Sequence, residues 1–127
     1  MIAVDTSALM AILLNEPEAD ACIEALATAD RVVISAGTVA EALIVSARRN
    51  VGESMTSLIG EFGFEVVPVT AASAQRIALA YQRWGKGINP AALNFGDCFA
   101  YEVAREHACR LLFVGNDFAG TDIEGVL

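Results

Sequence analysis

Short apolar segments alternate with longer amphipathic ones along the whole chain, and this alternation limits the fold more than any other feature. Four mainly apolar runs lie at residues 2–4, 31–35, 64–69 and 110–115. Such runs are typical of strands that are buried on both faces of a parallel sheet. The sequence therefore predicts a single α/β domain over residues 1–127, with a central parallel β-sheet flanked by helices on both faces.

The segments between the strands repeat apolar residues at helical spacing, which predicts helices. We expect Thr6 or Ser7 to cap the first helix, because their hydroxyls can accept a backbone N–H bond there. The tail at 121–127 can add a short edge strand. The predicted helices lie at 6–15, 17–29, 38–50, 52–63, 71–85 and 96–108.

The charge balance excludes a protein that holds nucleic acid on a broad basic face. The net charge is −8 at pH 7, and such a face needs clustered Lys and Arg. Hydrophobic residues make up 55% of the chain, more than is usual for a soluble domain. We expect this surplus to fill a very apolar core or to form a face for a partner.

The cysteine and histidine content argues against disulfides and zinc. Three cysteines form no CxxC pair, and the chain has a single histidine, so a zinc cluster is not expected. No apolar run approaches the roughly 20 residues of a membrane span, and the N-terminus has no basic leader. We therefore expect a cytoplasmic protein without a membrane partner.

Four acidic residues are predicted to meet at one edge of the sheet. Asp5 ends the first strand, and Asp117 follows the last one. Glu41 and Asp97 each lie in the first turn of a helix that we expect to begin at the same edge. Because ligands of open parallel sheets bind beyond the C-terminal ends of the strands, these carboxylates are predicted to share one cleft.

Each acid also has a simpler structural interpretation. Asp5 can be a helix N-cap, and Glu41 can form a capping box with Thr38. Asp97 can be a first-turn acid stabilised by the helix dipole, and Asp117 can be a turn residue. Both interpretations can hold together, because one carboxylate oxygen can cap a helix while the other binds an ion.

A cluster of carboxylates repels itself unless it is protonated or neutralised by cations. Oxygen ligands without Cys or His suit hard ions, chiefly Mg²⁺ or Mn²⁺. Such ions can activate water and hold the phosphate oxygens of a displacement reaction. The pattern therefore favours a divalent metal site at the cluster of Asp5, Glu41, Asp97 and Asp117.

Four separated motifs also resemble a known family. The segments "AVDTSAL", "TVAEAL", "LNFGDCFAY" and "LLFVGNDF" are similar, in this order, to motifs of the PIN-domain ribonucleases. The similarity is greatest to the VapC toxins of bacterial toxin–antitoxin pairs, and it covers nearly the whole chain. The resemblance implies a single PIN-like domain.

By this resemblance, the chain is expected to be a Mg²⁺- or Mn²⁺-dependent endoribonuclease with Asp5, Glu41, Asp97 and Asp117 as catalytic residues. Thr6 is expected to help hold the first motif in place. The implied partners are an RNA substrate and a VapB-type antitoxin protein, with DNA contacted only through the antitoxin. The apolar surplus suggests a homodimer.

One position departs from the family pattern. Many relatives carry a further acid near the last motif, where this chain has Asn116. Asn116 can ligate an ion through its amide oxygen or only shape the turn. Asp122 is a weaker candidate, and its position favours a turn or cap residue over a metal ligand.

The alternative function is a non-catalytic module that binds an antitoxin and acts as its corepressor. A second enzyme class, the haloacid-dehalogenase phosphatases, also uses an Asp after the first strand. That class needs another acid two residues later, where this chain has Ser7, so we rank it low.

Overall fold

The structure is a computed structural model that describes residues 1–127. It contains four strands and six helices, and the predicted alternation is confirmed. In chain order these elements are β1 (Ile2–Val4), α1 (Thr6–Leu13), α2 (Ala19–Thr28), β2 (Val32–Ser35), α3 (Ala36–Arg48), α4 (Gly52–Glu61), β3 (Glu65–Val67), α5 (Ala71–Trp84), α6 (Phe95–Glu106) and β4 (Arg110–Leu112).

The sheet is parallel throughout, with the strand order β3-β2-β1-β4. The chain builds outward from β1 to β3 and then returns to add β4 on the other side of β1. The strand order thus reverses between β1 and β4, which is where open parallel sheets bind ligands. Asp5 and Asp117 follow these two neighbouring strands.

Alternate residues of the inner strands β1 and β2 are buried in two separate hydrophobic layers, whereas β3 at the edge of the sheet is largely exposed. Ile2, Val4 and Ile34 pack against residues of α1 to α4 on one face of the sheet. Ala3 and Val33 pack against α5 and α6 on the other face. The predicted helical cover on both faces is therefore confirmed. None of the six helices combines the length and the apolar character needed to cross a membrane.

Helix α3 begins earlier than predicted, and the capping box assigned to Thr38 and Glu41 is wrong. Ser35 caps this helix, because its hydroxyl accepts the N–H of Gly37 at 3.2 Å. The helix therefore starts at Ala36. Thr38 is fully buried inside it, and Glu41 lies in the second turn rather than the first.

The cap of α1 is not Thr6 or Ser7, as the local sequence predicts, but Asp5, so the structural interpretation of Asp5 as an N-cap is confirmed. Asp5 is the N-cap, with an extended backbone and a carboxylate that accepts the N–H of Ser7. Thr6 and Ser7 are instead the first two residues of the helix, so their hydroxyls are free to bond elsewhere.

The C-terminal tail forms one bridge rather than an edge strand. Leu111 and Gly125 make an isolated parallel bridge. The N–H of Leu111 donates to the carbonyl of Glu124, and the N–H of Val126 donates to the carbonyl of Leu111. The tail thereby covers the outer edge of β4, which would otherwise present unpaired backbone groups.

Candidate active site

Asp5 is held by the first turn of α1 and keeps one oxygen free. The residue is 3% exposed. Its Oδ2 accepts the N–H of Ser7 at 3.0 Å and the hydroxyl of Ser7 at 2.7 Å. Its Oδ1 is buried and has no hydrogen-bond partner. Because an unsatisfied buried acceptor is costly, Oδ1 is suited to a hydrogen-bond donor or a cation that is not part of the protein.

Glu41 is held between the start of α1 and the start of α6. The hydroxyl of Thr6 donates to its Oε1 at 2.6 Å. Its carboxylate lies so close to Gly96 that a Cβ there would overlap it. Helices α3 and α6 can approach this closely because Gly37 has no side chain, and the ring of Phe99 fills the space.

Asp97 lies in the first turn of α6, where a reciprocal capping box fixes it. Its N–H donates to Oδ1 of Asn94 at 2.9 Å, and the N–H of Asn94 donates to its Oδ2 at 3.0 Å. Asn94 is the N-cap of α6, and the predicted role of Asp97 as a first-turn acid is confirmed. Asp97 is nevertheless only 6% exposed, and only one of its oxygens takes part in the capping box.

Asp117 lies in an exposed turn just beyond β4. The next residue, Phe118, is almost fully buried and packs against Phe113, with ring centroids 5.1 Å apart. The N–H of Ala119 donates to the carbonyl of Asn116. The turn is therefore anchored in the core by Phe118, while Asp117 and Asn116 remain exposed.

The four carboxylates influence one another electrostatically. Burial raises the pKa of Asp5 to about 6 and the pKa of Asp97 to about 7. The negative charges of Glu41 and Asp117 contribute to both shifts, and that of Asp5 contributes to the shift of Asp97. The structure thus brings the four predicted acids to one place, which we call the acidic site.

The acidic site fits a divalent cation that retains much of its water. No three of its carboxylates are arranged so that they could ligate one ion directly. Mg²⁺ is usually held by one or two carboxylates and several waters, so a full carboxylate cage is not required. The unpartnered Oδ1 of Asp5 and the purely oxygen donor set both suit a hard cation.

Asp122 lies outside the acidic site. Its Oδ1 accepts the hydroxyl of Tyr101 at 2.7 Å, and Arg83 and Arg105 approach its Oδ2 at 3.8 Å. It is not among the charges that raise the pKa values of Asp5 and Asp97. Asp122 therefore ties the C-terminal tail to α5 and α6.

Two features of the site were not predicted from the sequence. The hydroxyl of Ser7 bonds Asp5 and the N–H of Val114 rather than capping α1. Gly96 makes room for the carboxylate of Glu41. The only sequence signal for Gly96 is a small residue directly before an important acid, which is too common to stand out.

Comparison with known proteins identifies the relatives of this chain. The model of the PIN domain family matches residues 2–124. Ribonuclease VapC36 of Mycobacterium tuberculosis is 46% identical over 95% of this chain and 90% of its own length. Ribonuclease VapC28 of the same organism is 40% identical, over 98% and 96%. Ribonuclease VapC of Mycolicibacterium smegmatis is 36% identical, over 97% and 98%.

Solved structures agree on the fold. VapC20 of Mycobacterium tuberculosis, a sarcin–ricin loop cleaving toxin, superposes with a TM-score of 0.77 at 18% identity, over 97% of this chain and 96% of its own. VapBC2 of Rickettsia felis, solved with a DNA fragment from its promoter, gives a TM-score of 0.70 at 15% identity, over 98% and 97%. At these identities the likeness bears on the fold alone.

Proposed function

Because this chain belongs to the PIN domain family, we propose that it is a VapC-type endoribonuclease toxin that depends on Mg²⁺ or Mn²⁺. Its relatives are 36–46% identical to it over nearly their whole length, and they are named as ribonucleases. The observation that carries the metal dependence is the buried Oδ1 of Asp5, which has no partner within the protein. An RNA substrate makes the cytoplasm its proposed place of action.

We assign the four acids of the acidic site to cation binding. Asp5 offers its free Oδ1, and Asp97 lies beside it at the start of α6. Glu41 and the exposed Asp117 would add the negative charge that holds a hydrated ion near these two residues. When bound, the cation supplies an activated water and charge stabilisation at the phosphate that is cleaved.

This proposal is tested with Asp97→Asn. Purified protein is incubated with total RNA in Mg²⁺ or Mn²⁺, with and without EDTA. We expect cleavage by the unsubstituted protein, none in EDTA, and none by Asp97→Asn although it stays folded. Asp122→Asn is the matched control, because that carboxylate lies outside the acidic site and should leave cleavage unchanged. Cleavage that resists EDTA would contradict the metal dependence.

The alternative is a non-catalytic module that only binds an antitoxin and supports repression. Such a module has no need for a buried carboxylate oxygen without a hydrogen-bond partner, so the geometry favours the enzyme. The two functions can coexist in one protein. Failure to cleave any RNA tested, by protein that still binds its antitoxin, would favour the alternative.

The proposed protein partner is a VapB-type antitoxin, through which any DNA contact is made. Structures of related fold include a toxin–antitoxin complex from Klebsiella pneumoniae and FitAB bound to DNA. The net charge of −8 leaves DNA binding to the partner. We expect co-expression with the antitoxin to restore growth that the chain alone arrests, and we expect the two proteins to copurify.

We further propose a homodimer that forms through an apolar face beside the acidic site. Ile44 and Val69 are exposed next to Phe95, which is 70% exposed. We expect Ile44→Glu to convert the dimer to a monomer in light scattering. Leu79→Glu is the control. Leu79 and Ile44 are both 61% exposed, but Leu79 lies outside this face.

A further inference from the structure

The hydroxyl of Ser7 makes two hydrogen bonds that fix its direction. It accepts the N–H of Val114 at 3.0 Å and donates to Oδ2 of Asp5 at 2.7 Å. A backbone N–H can only donate, so the single hydroxyl proton of Ser7 is left for the carboxylate. The Ser7 side chain therefore donates to the ionised carboxylate of Asp5 whenever both bonds are kept.

These bonds decide which oxygen of Asp5 remains free. Oδ2 receives two donors from Ser7, the N–H and the hydroxyl. Oδ1 receives none, although it is buried. The carboxylate cannot rotate to pair Oδ1 without giving up a bond at Oδ2. The arrangement thus leaves one oxygen of Asp5 without a hydrogen-bond donor from the protein.

The same hydroxyl connects two neighbouring strands. Asp5 follows β1, and Val114 lies two residues beyond the end of β4. Val114 leads into the turn that carries Asp117. Ser7 therefore links the position of Asp5 to the path of the segment that delivers a second acid of the site.

We propose that Ser7 is a positioning residue that holds Asp5 Oδ2 and the β4 exit so that Oδ1 faces a divalent cation. This inference rests on the proposed metal-dependent function. The neighbouring Thr6 acts in the same manner on Glu41, to which its hydroxyl donates at 2.6 Å. Two consecutive hydroxyls thus orient two different acids, as hydrogen-bonded partners commonly do around metal ligands.

The test is Mn²⁺ binding at pH 8, measured by isothermal titration calorimetry and by electron paramagnetic resonance of free Mn²⁺. We expect Ser7→Ala to raise the Mn²⁺ dissociation constant by about 10- to 100-fold. Ser7→Thr keeps the hydroxyl and should restore most of the affinity. Thermal unfolding of the metal-free variants shows whether they fold, and Ser7→Cys, with its weaker donor, replaces the alanine variant if that one does not.

Ser46→Ala is the matched control. Ser46 is a buried helical serine whose hydroxyl donates only to the carbonyl of Leu43. Its loss should leave Mn²⁺ affinity unchanged. If folded Ser7→Ala binds Mn²⁺ as tightly as the unsubstituted protein, this inference is overturned while the proposed function stands. If the unsubstituted protein binds no Mn²⁺, both the inference and the metal dependence fail.

Discussion

At the scale of single residues, Gly96 shows how closely the acidic site is packed. A Cβ at this position would overlap the carboxylate of Glu41. We expect Gly96→Ala to displace that carboxylate, to cost about 1–3 kcal/mol of folding stability and to reduce RNA cleavage. Chemical denaturation and a cleavage assay on the same preparation measure the two effects.

Gly60 provides the control for this substitution. It is an exposed glycine within α4, and a Cβ there would meet nothing within 4 Å. Gly60→Ala should stabilise the protein by about 0.5–1 kcal/mol, because alanine favours the helix, and should leave cleavage unchanged. If Gly96→Ala matches the unsubstituted protein in both assays, Glu41 is not held where the structure has it.

Residue type and position were enough to identify the acids but not the hydroxyl that orients Asp5. A carboxylate at the end of an apolar strand is unusual, so Asp5 stands out in the sequence. The role of Ser7 depends on the N–H of Val114, which is 107 residues away. Every non-proline residue carries such an N–H, so no sequence pattern reports this contact.

At the scale of elements, the capping boxes of α5 and α6 have the same form but different neighbours. Asn94 caps α6 beside the acidic site, and Thr70 caps α5 through Ser73. We expect Asn94→Ala and Thr70→Ala each to cost about 1 kcal/mol, because both remove an acceptor for a helix N–H. Thermal or urea unfolding measures this cost.

Only the first of these variants should affect catalysis. Asn94→Ala frees the N–H of Asp97 and loosens the first turn of α6, so RNA cleavage should fall by more than the stability loss explains. Thr70→Ala should cleave RNA at the usual rate. Equal cleavage by both variants would show that the capping box stabilises α6 without positioning Asp97.

The helix starts mark the limit of prediction at this scale. Ser35 and Thr38 are both good caps for α3, and their local sequences do not rank them. Strand β2 pairs as far as Ser35, and Gly37 packs against Phe99 of α6. The choice therefore depends on contacts with distant parts of the chain, whereas the existence of each helix follows from local periodicity.

At the scale of the whole molecule, the acidic site opposes folding when no cation neutralises it. The pKa of Asp5 is raised to about 6 and that of Asp97 to about 7, above the ordinary value of 3.8. Between pH 3.8 and about pH 7, the folded state binds more protons than the unfolded state. Folding stability must then fall as pH rises through this range.

Other carboxylates set the pH window for this effect. The pKa values of Asp30 and Glu65 are lowered, by hydrogen bonds from the N-terminal amine and from Arg31 respectively. Their contribution to stability is lost only as pH falls through their lowered pKa values, so it acts in the opposite direction and at lower pH. A comparison between pH 5 and pH 8 therefore isolates the raised acids.

We expect the metal-free protein to be more stable at pH 5 than at pH 8 by about 4 kcal/mol, because the pKa values of Asp5 and Asp97 lie about one and about two units above pH 5, at roughly 1.4 kcal/mol per pKa unit. Urea unfolding in EDTA at the two pH values measures this difference. Saturating Mn²⁺ at pH 8 should recover the lost stability, because a cation that binds only the folded state stabilises it.

Asp97→Asn separates the acidic site from the rest of the molecule. Without its charge, the variant in EDTA should unfold with a smaller difference between pH 5 and pH 8 and should exceed the unsubstituted protein in stability at pH 8. It should also gain less from Mn²⁺. A variant with the full pH dependence would locate the extra protons elsewhere, for example at Glu102, whose pKa is also raised by burial. Repulsion from the net charge of −8 would then destabilise the folded protein mainly outside the acidic site.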